Sequence, residues 1–200
     1  MPDQPTELQP KEAGVTAVDA VTDIGSQLCT KCGLCCTGAL HDRAVLEPEE
    51  VEFARDLGLY VRTEGRPTFA LPCKYLQGCA CTIYSKRPKV CARYQCQLLD
   101  DVRQANVSLE AALDHVRVAK RMCDDVRALL PPGMSFPEAR RLLHEPPGAL
   151  PDGSDRSGEM PVRLALTTLC LYLDKHFKHD RESKLLTQTS VDQDMDNTEA

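Results

Sequence analysis

The stretch Ser26-Gln-Leu-Cys29-Thr-Lys-Cys32-Gly-Leu-Cys35-Cys36 puts four sulfurs within eight residues. Thiolates this close repel one another, and a metal ion or an iron-sulfur core relieves the repulsion by deprotonating and neutralising them together. The stretch therefore reads as a metal-binding loop. A second block lies further along: Cys73, Cys79, Cys81, Cys91 and Cys96. Within it Gln77-Gly78 marks a turn, Thr82-Ile83-Tyr84 has strand character, and Pro88 suits the first turn of a helix that carries Cys91 forward. Turns and helix starts expose backbone N–H groups that can hydrogen-bond to metal-bound sulfur.

Eleven cysteines is an odd number, and runs such as Cys35-Cys36 and Cys79-Ala-Cys81 suit ligand clusters better than cross-links between distant strands. The first 25 residues lack the basic start and apolar run of a secretory signal, so a cytoplasmic setting is expected, where disulfides would not persist. No apolar run is long enough to span a membrane. The formal charge of −6 gives no global attraction to nucleic acid or anionic lipid, so neither is an expected partner, while a protein partner stays open. With four Phe, five Tyr and no Trp, a metal is expected to supply much of the order in the first half.

Across roughly residues 29 to 96 the sequence resembles the CxxCxxCC cysteine-cluster family, a zinc- or iron-chelating domain with which flagellin N-methylases are grouped. The matching residues are Cys29, Cys32, Cys35 and Cys36, then Cys73, then Cys81-Thr-Ile-Tyr-Ser-Lys-Arg-Pro-Lys-Val-Cys91-Ala-Arg-Tyr-Gln-Cys96, similar to that family's CxIYxxRPxxCRxFxC ending. Ala92 stands where the family has arginine, which here follows at Arg93, and Cys79 is an added thiol able to compete with Cys81. The resemblance implies metal ligation by Cys29, Cys32, Cys35, Cys36, Cys73, Cys81, Cys91 and Cys96.

Around the blocks, Pro48 and the acids after it suit a helix start, and Phe53 and Leu57 lie on the face that packs on the cluster domain, with Gly58 stopping the helix. Leu59 to Leu71 reads as a hairpin turning at Glu64-Gly65-Arg66-Pro67. Beyond 100 the resemblance ends and the composition is helical. Ser108 caps a helix from Leu109 to Leu130 that Pro131 ends, Ser135 and Glu138 form a capping box, and residues 146 to 160 form a loop. Pro161 to Phe177, apolar on more than one side, reads as a helix buried between others. Cys123 and Cys170 read as packing residues. The expected organisation is a tail at 1–24, a metal-binding domain at 25–100, a helical region at 101–179 and an acidic tail at 180–200, in the α+β class.

Three cysteines at intervals of three residues, Cys29, Cys32 and Cys35, have the close spacing that bacterial ferredoxins use, whereas structural zinc sites join two separated CxxC pairs. Iron-sulfur of the 4Fe–4S type is thus favoured, with zinc the alternative. Eight thiols could hold two four-thiolate sites or one cluster and one zinc, and adjacent Cys35 and Cys36 cannot easily bind one small ion together. Arg87 and Arg93, in a basic run with Lys86 and Lys89, are candidate cofactor-binding residues, since cations near a negatively charged centre lower the cost of assembling it. A solvated surface or a docking patch are the competing readings. His41, five residues after Cys36, is a candidate replacement for a thiolate, and His176 and His179 suit a helix end that favours protonated imidazole. No GxGxxG, phosphate-binding Gly-Lys-Ser/Thr loop, GxSxG or HExxH is present, so whether the chain is an enzyme is left open. The leading reading is a metal-binding protein with an electron-transfer, cofactor-carrying or sensing role. An iron-sulfur protein lysine methylase and a zinc-stapled interaction module are the alternatives.

Overall fold

Helix α1 (Ala17–Cys32) carries Ile24 and Leu28 one turn apart on the face that packs against the later helices, and it stops at Gly33. The computed structural model describes residues 17–146, 156–180 and 182. The expected tails at 1–24 and 180–200 fall outside the described residues at 1–16, 181 and 183–200, whereas residues 17–24, expected as tail, are the first half of α1. The cysteine stretch itself is not all loop: Ser26 to Cys32 is the C-terminal half of α1, so Cys29 and Cys32 sit one turn apart on a helix.

Gly33 adopts φ +71°, which ends the helix at low cost for glycine alone. A side chain there would also stand 3.1 Å from the Cys79 backbone, so the turn is pinned from two directions. Beyond it, β1 (Arg43–Val45), β2 (Val61–Arg62) and β3 (Thr68–Ala70) form an antiparallel sheet in the order β1-β3-β2. The hairpin expected over residues 59 to 71 is its β2-β3 edge. Between β1 and β2 the chain makes a 3-10 turn at Pro48–Glu50 and then α2 (Val51–Asp56), with Gly58 at φ +66° after it. Phe53, expected to pack, is 41% exposed; Ala54 is the buried residue of α2.

A second, two-stranded ladder joins β4 (Leu76–Gln77) to β5 (Ala80–Cys81). The strand expected at Thr82-Ile83-Tyr84 ends instead at Cys81, and Tyr84–Lys86 forms a 3-10 turn. Then come α3 (Lys89–Arg93), α4 (Gln97–Arg103), α5 (Leu109–Leu129), α6 (Phe136–Arg141) and α7 (Arg156–His176). Ser108 accepts from the Ala111 N–H at 3.1 Å and Ser135 and Glu138 complete a capping box, as those residue types predict. Helix α7 starts inside the expected loop. Its Leu166, Leu169 and Leu173 are buried, but Met160 and Leu164 are 57% and 68% exposed, so it packs on one face instead of being enclosed.

Two apolar cores result. The larger joins Leu28 of α1, Leu98 and Leu99 of α4, Val116 and Val126 of α5, Leu166 and Leu173 of α7, and Phe177 just after it. The smaller is built on Leu46, Ala54, Leu59 and Phe69 under the three-stranded sheet. The Phe177 carbonyl accepts from the Gln97 N–H at 3.1 Å, so the end of α7 meets the start of α4. The architecture is α+β, short strands and turns on one side and helices on the other.

Candidate metal centre

The cysteine blocks meet between the two cores. Cys36 leaves the Gly33 turn with its carbonyl accepting from the Cys73 N–H at 2.8 Å, which ties the first block to the second before any sulfur is involved. The β4-β5 register pairs Leu76 with Cys81, and the Leu76 N–H donates to the Cys73 carbonyl at 3.1 Å, so Cys73 and Cys81 stand at the open end of one small hairpin. Helix α3 presents Cys91 from its middle, and Cys96 is the residue that opens α4. All eight cysteines named from the family pattern, with Cys79, line a single cavity of about 480 Å³. Cys123 and Cys170 lie outside it, 2% and 6% exposed, as packing residues.

The eight thiols divide into two sets. Cys32, Cys35 and Cys96 pack against the larger core, whereas Cys73 and Cys91 pack against the smaller one. Electrostatic reach draws the same line. Every pair among Cys29, Cys32, Cys35 and Cys96 is close enough for one charge to bear on the other. So is every pair among Cys36, Cys73, Cys81 and Cys91. Cys36 also feels Cys29 and Cys35, which makes it the bridge between the sets. Among the described residues no three His, Cys, Asp or Glu donors are already closed around one point.

Burial raises the pKa of seven of these thiols, and neighbouring sulfurs add to it at Cys32, Cys35, Cys36, Cys73, Cys91 and Cys96. Cys32 and Cys91 are pushed up to about 12, and Cys36 and Cys96 to about 11, each chiefly by desolvation. Cys29, Cys35 and Cys73 move in the same direction for the same first cause. A thiol raised in this way is a weaker nucleophile at neutral pH, and it becomes anionic when a cation replaces its proton. The residues thus fit a soft metal or an iron-sulfur core, which eight sulfur donors around one cavity suit better than any hard cation.

Two cavity-lining arginines bear on the sulfurs. Arg87 lies over the Tyr84 ring at 3.6 Å and donates to the Tyr84 carbonyl at 2.8 Å, and its charge bears on Cys29, Cys36 and Cys91. Arg103 spreads its guanidinium over Gly25, where an added Cβ would stand 3.1 Å from Nη2, and its charge also bears on Cys29. The Nε of each is buried without a hydrogen-bond partner. Arg93, expected beside Arg87, is turned out to solvent 3.9 Å from Glu47 and does not line the cavity. Arg103 escaped the sequence reading because no helix was expected between Cys96 and Ser108; once α4 is seen to open at Cys96, a residue seven positions on falls on the same face.

Cys79 is set apart from Cys81. The Lys120 ammonium stands 2.7 Å from the Cys79 sulfur, and Cys79 is close enough to bear on Cys32. The His41 ring lines the cavity but packs edge-on to Tyr94 at 4.9 Å, with Nε2 3.8 Å from Glu182; burial lowers its pKa. His176 differs from expectation. It stacks on His115 at 4.2 Å, and desolvation with that neighbour disfavours its protonation, overriding the helix dipole. His179 Nε2 is 2.9 Å from the Gln95 carbonyl.

A cysteine-lined domain set between a helical core and a small sheet is the class that these features define. Residues 28–124 match the model of the CxxCxxCC family, described as "Putative zinc- or iron-chelating domain". This stretch belongs to that family. The match extends beyond the expected limit near residue 100 and takes in α4 and most of α5, so Arg103 and Lys120 lie inside the family domain. No curated protein and no solved structure matches the chain significantly. No described helix is long and apolar enough to cross a membrane.

Proposed function

We propose that the domain carries an iron-sulfur centre, of the 4Fe–4S type, in an electron-transfer, cofactor-carrying or sensing role. The observation that carries the reading is the convergence of eight family cysteines, from blocks that are far apart in sequence, on one cavity of about 480 Å³. That space suits a core of several atoms. The interval of three residues between Cys29, Cys32 and Cys35 adds to it, since close triads of this kind hold cubane clusters while a remote cysteine completes the shell. When bound, such a centre would supply one-electron redox chemistry at a potential set by nearby charge and solvent access.

The chain's own residues do the rest. Arg87 and Arg103 offset the negative charge that loading brings, and Tyr94 and Leu98 close the apolar wall. Cys29 is the exposed thiol of the group, so contact with a partner or reductant is expected at its end of the cavity. Purification without oxygen, followed by iron, zinc and acid-labile sulfide analysis, tests the reading. Sulfide equal to iron with a visible charge-transfer band is expected; zinc without sulfide would replace the reading with a zinc-stapled module.

A further inference from the structure

We propose that the cavity holds two separate tetrathiolate centres, one on Cys29, Cys32, Cys35 and Cys96 and the other on Cys36, Cys73, Cys81 and Cys91. This deepens the proposed function and rests on it.

Two observations support the division, and together they separate the adjacent Cys35 and Cys36. Cys32, Cys35 and Cys96 of the first set pack on the larger core and Cys73 and Cys91 of the second on the smaller, so each set is anchored to a different packing unit. Backbone links join members of the second set: the Cys36 carbonyl is bound by the Cys73 N–H, and Cys73 and Cys81 are joined through one hairpin. Adjacent side chains seldom turn to one small ion, and the chain separates them here, Cys35 packing on the helical core while Cys36 is tied to the second block.

The spacing agrees with a general feature of cysteine runs in two-cluster proteins, where the last cysteine of a close run goes to the other cluster. Here the run Cys29, Cys32, Cys35 keeps its three sulfurs together, takes Cys96 as the remote fourth, and hands Cys36 to the second centre. Eight sulfurs then give two complete four-sulfur shells with none left over, and Cys79 remains outside both, held by Lys120. The first centre, with the ferredoxin-like interval, is the iron-sulfur one. The second is a tetrathiolate site for a second cluster or for zinc, two occupants that share the same four-sulfur donor chemistry.

The experiment compares neighbours in sequence. Iron, zinc and sulfide are measured per folded chain, without oxygen, in the wild type and in Cys35→Ser, Cys96→Ser, Cys36→Ser and Cys91→Ser. Cys35→Ser and Cys96→Ser should lose the same fraction of the metal, and Cys36→Ser and Cys91→Ser the complementary fraction. Loss of one common pool by Cys35→Ser and Cys36→Ser would overturn the division. To cover a variant that does not fold, wild-type chain is titrated with chelator and its thiols are alkylated and mapped by mass spectrometry. Cysteines should become reactive in two blocks of four with the membership given; a single block of eight refutes it. Two blocks with zinc alone would refute the iron-sulfur function and leave the division standing. One block with sulfide does the reverse, and a metal-free chain overturns both.

Discussion

The carboxylate of Glu50 accepts from the backbone N–H of Lys89 at 2.6 Å, reaching across thirty-nine residues to the first turn of the helix that carries Cys91. Glu50 is only 5% exposed, so the contact is made out of water, where a lost partner is costly. In sequence it stands among the acids expected to favour the dipole of their own helix; in the fold it serves another. Glu50→Ala should lower unfolding free energy by about 1–3 kcal/mol, with Glu50→Gln nearer to wild type. Denaturant titration of the metal-loaded chain measures this.

Metal removal should act unevenly. The smaller core rests on four buried apolar residues, Leu46, Ala54, Leu59 and Phe69, whereas the larger runs through five helices. Chelation should therefore speed amide exchange in β1, β2, β3 and α3 at least tenfold, while the centres of α5 and α7 keep their protection. Hydrogen exchange resolved by peptide makes the comparison, and uniform loss across both regions would contradict it.

The protonated thiols give a pH dependence of definite sign. In the metal-free chain Cys32 and Cys91 titrate near 12, and Cys36 and Cys96 near 11, against 9.0 for the ordinary thiol. A group whose folded pKa is raised contributes stability that is complete below 9.0 and lost as pH rises toward 11 to 12, because the unfolded chain then binds fewer protons. The metal-free chain should lose stability above pH 9, read from its melting temperature. Loading runs the other way: protons must leave, so chelator competition at pH 6, 7 and 8 should show affinity rising with pH.

Arg87 and Arg103 should tune the centre and Arg93 should not. Replacing either cavity arginine with Gln removes a charge that bears on Cys29, and the reduction potential should fall while metal content holds. Arg93→Gln, altering an exposed pair with Glu47, should leave the potential within error of wild type. Potentiometric titration followed by optical or paramagnetic signals separates the three variants.

Cys123→Ser should destabilise without changing metal stoichiometry. Its sulfur is buried among apolar residues of the larger core, and a hydroxyl there without a partner costs about 1–3 kcal/mol. Metal per folded chain, measured beside a denaturation curve, checks both halves of the expectation.

Much of this was legible in the residues. Ser108 and the pair Ser135 and Glu138 announce helix starts because a side-chain oxygen facing a free N–H is a local requirement, and Gly78 marks its turn for a similar reason. The cysteines could be grouped as a site because sulfurs packed this densely need a cation to hold them together. What stayed hidden depends on distant partners. β1 is three residues long and owes its pairing to β3, which no local pattern records. The helical state of Cys29 and Cys32 comes from Leu28 packing on later helices, and Arg103 acquires its place only once Cys96 is known to open α4.

The bond from Gln97 to Phe177 makes the helical part a closed excursion. The chain departs beside Cys96, builds α4, α5, α6 and α7, and comes back to the point of departure. The family match follows that circuit through α4 and most of α5 and stops at residue 124, before α6 and α7. The circuit meets the cavity at the first turn of α4 at Cys96, at Arg103 at the end of α4 and at Lys120 of α5 against Cys79, so a change in how these helices pack is carried to the sulfurs of both cysteine blocks.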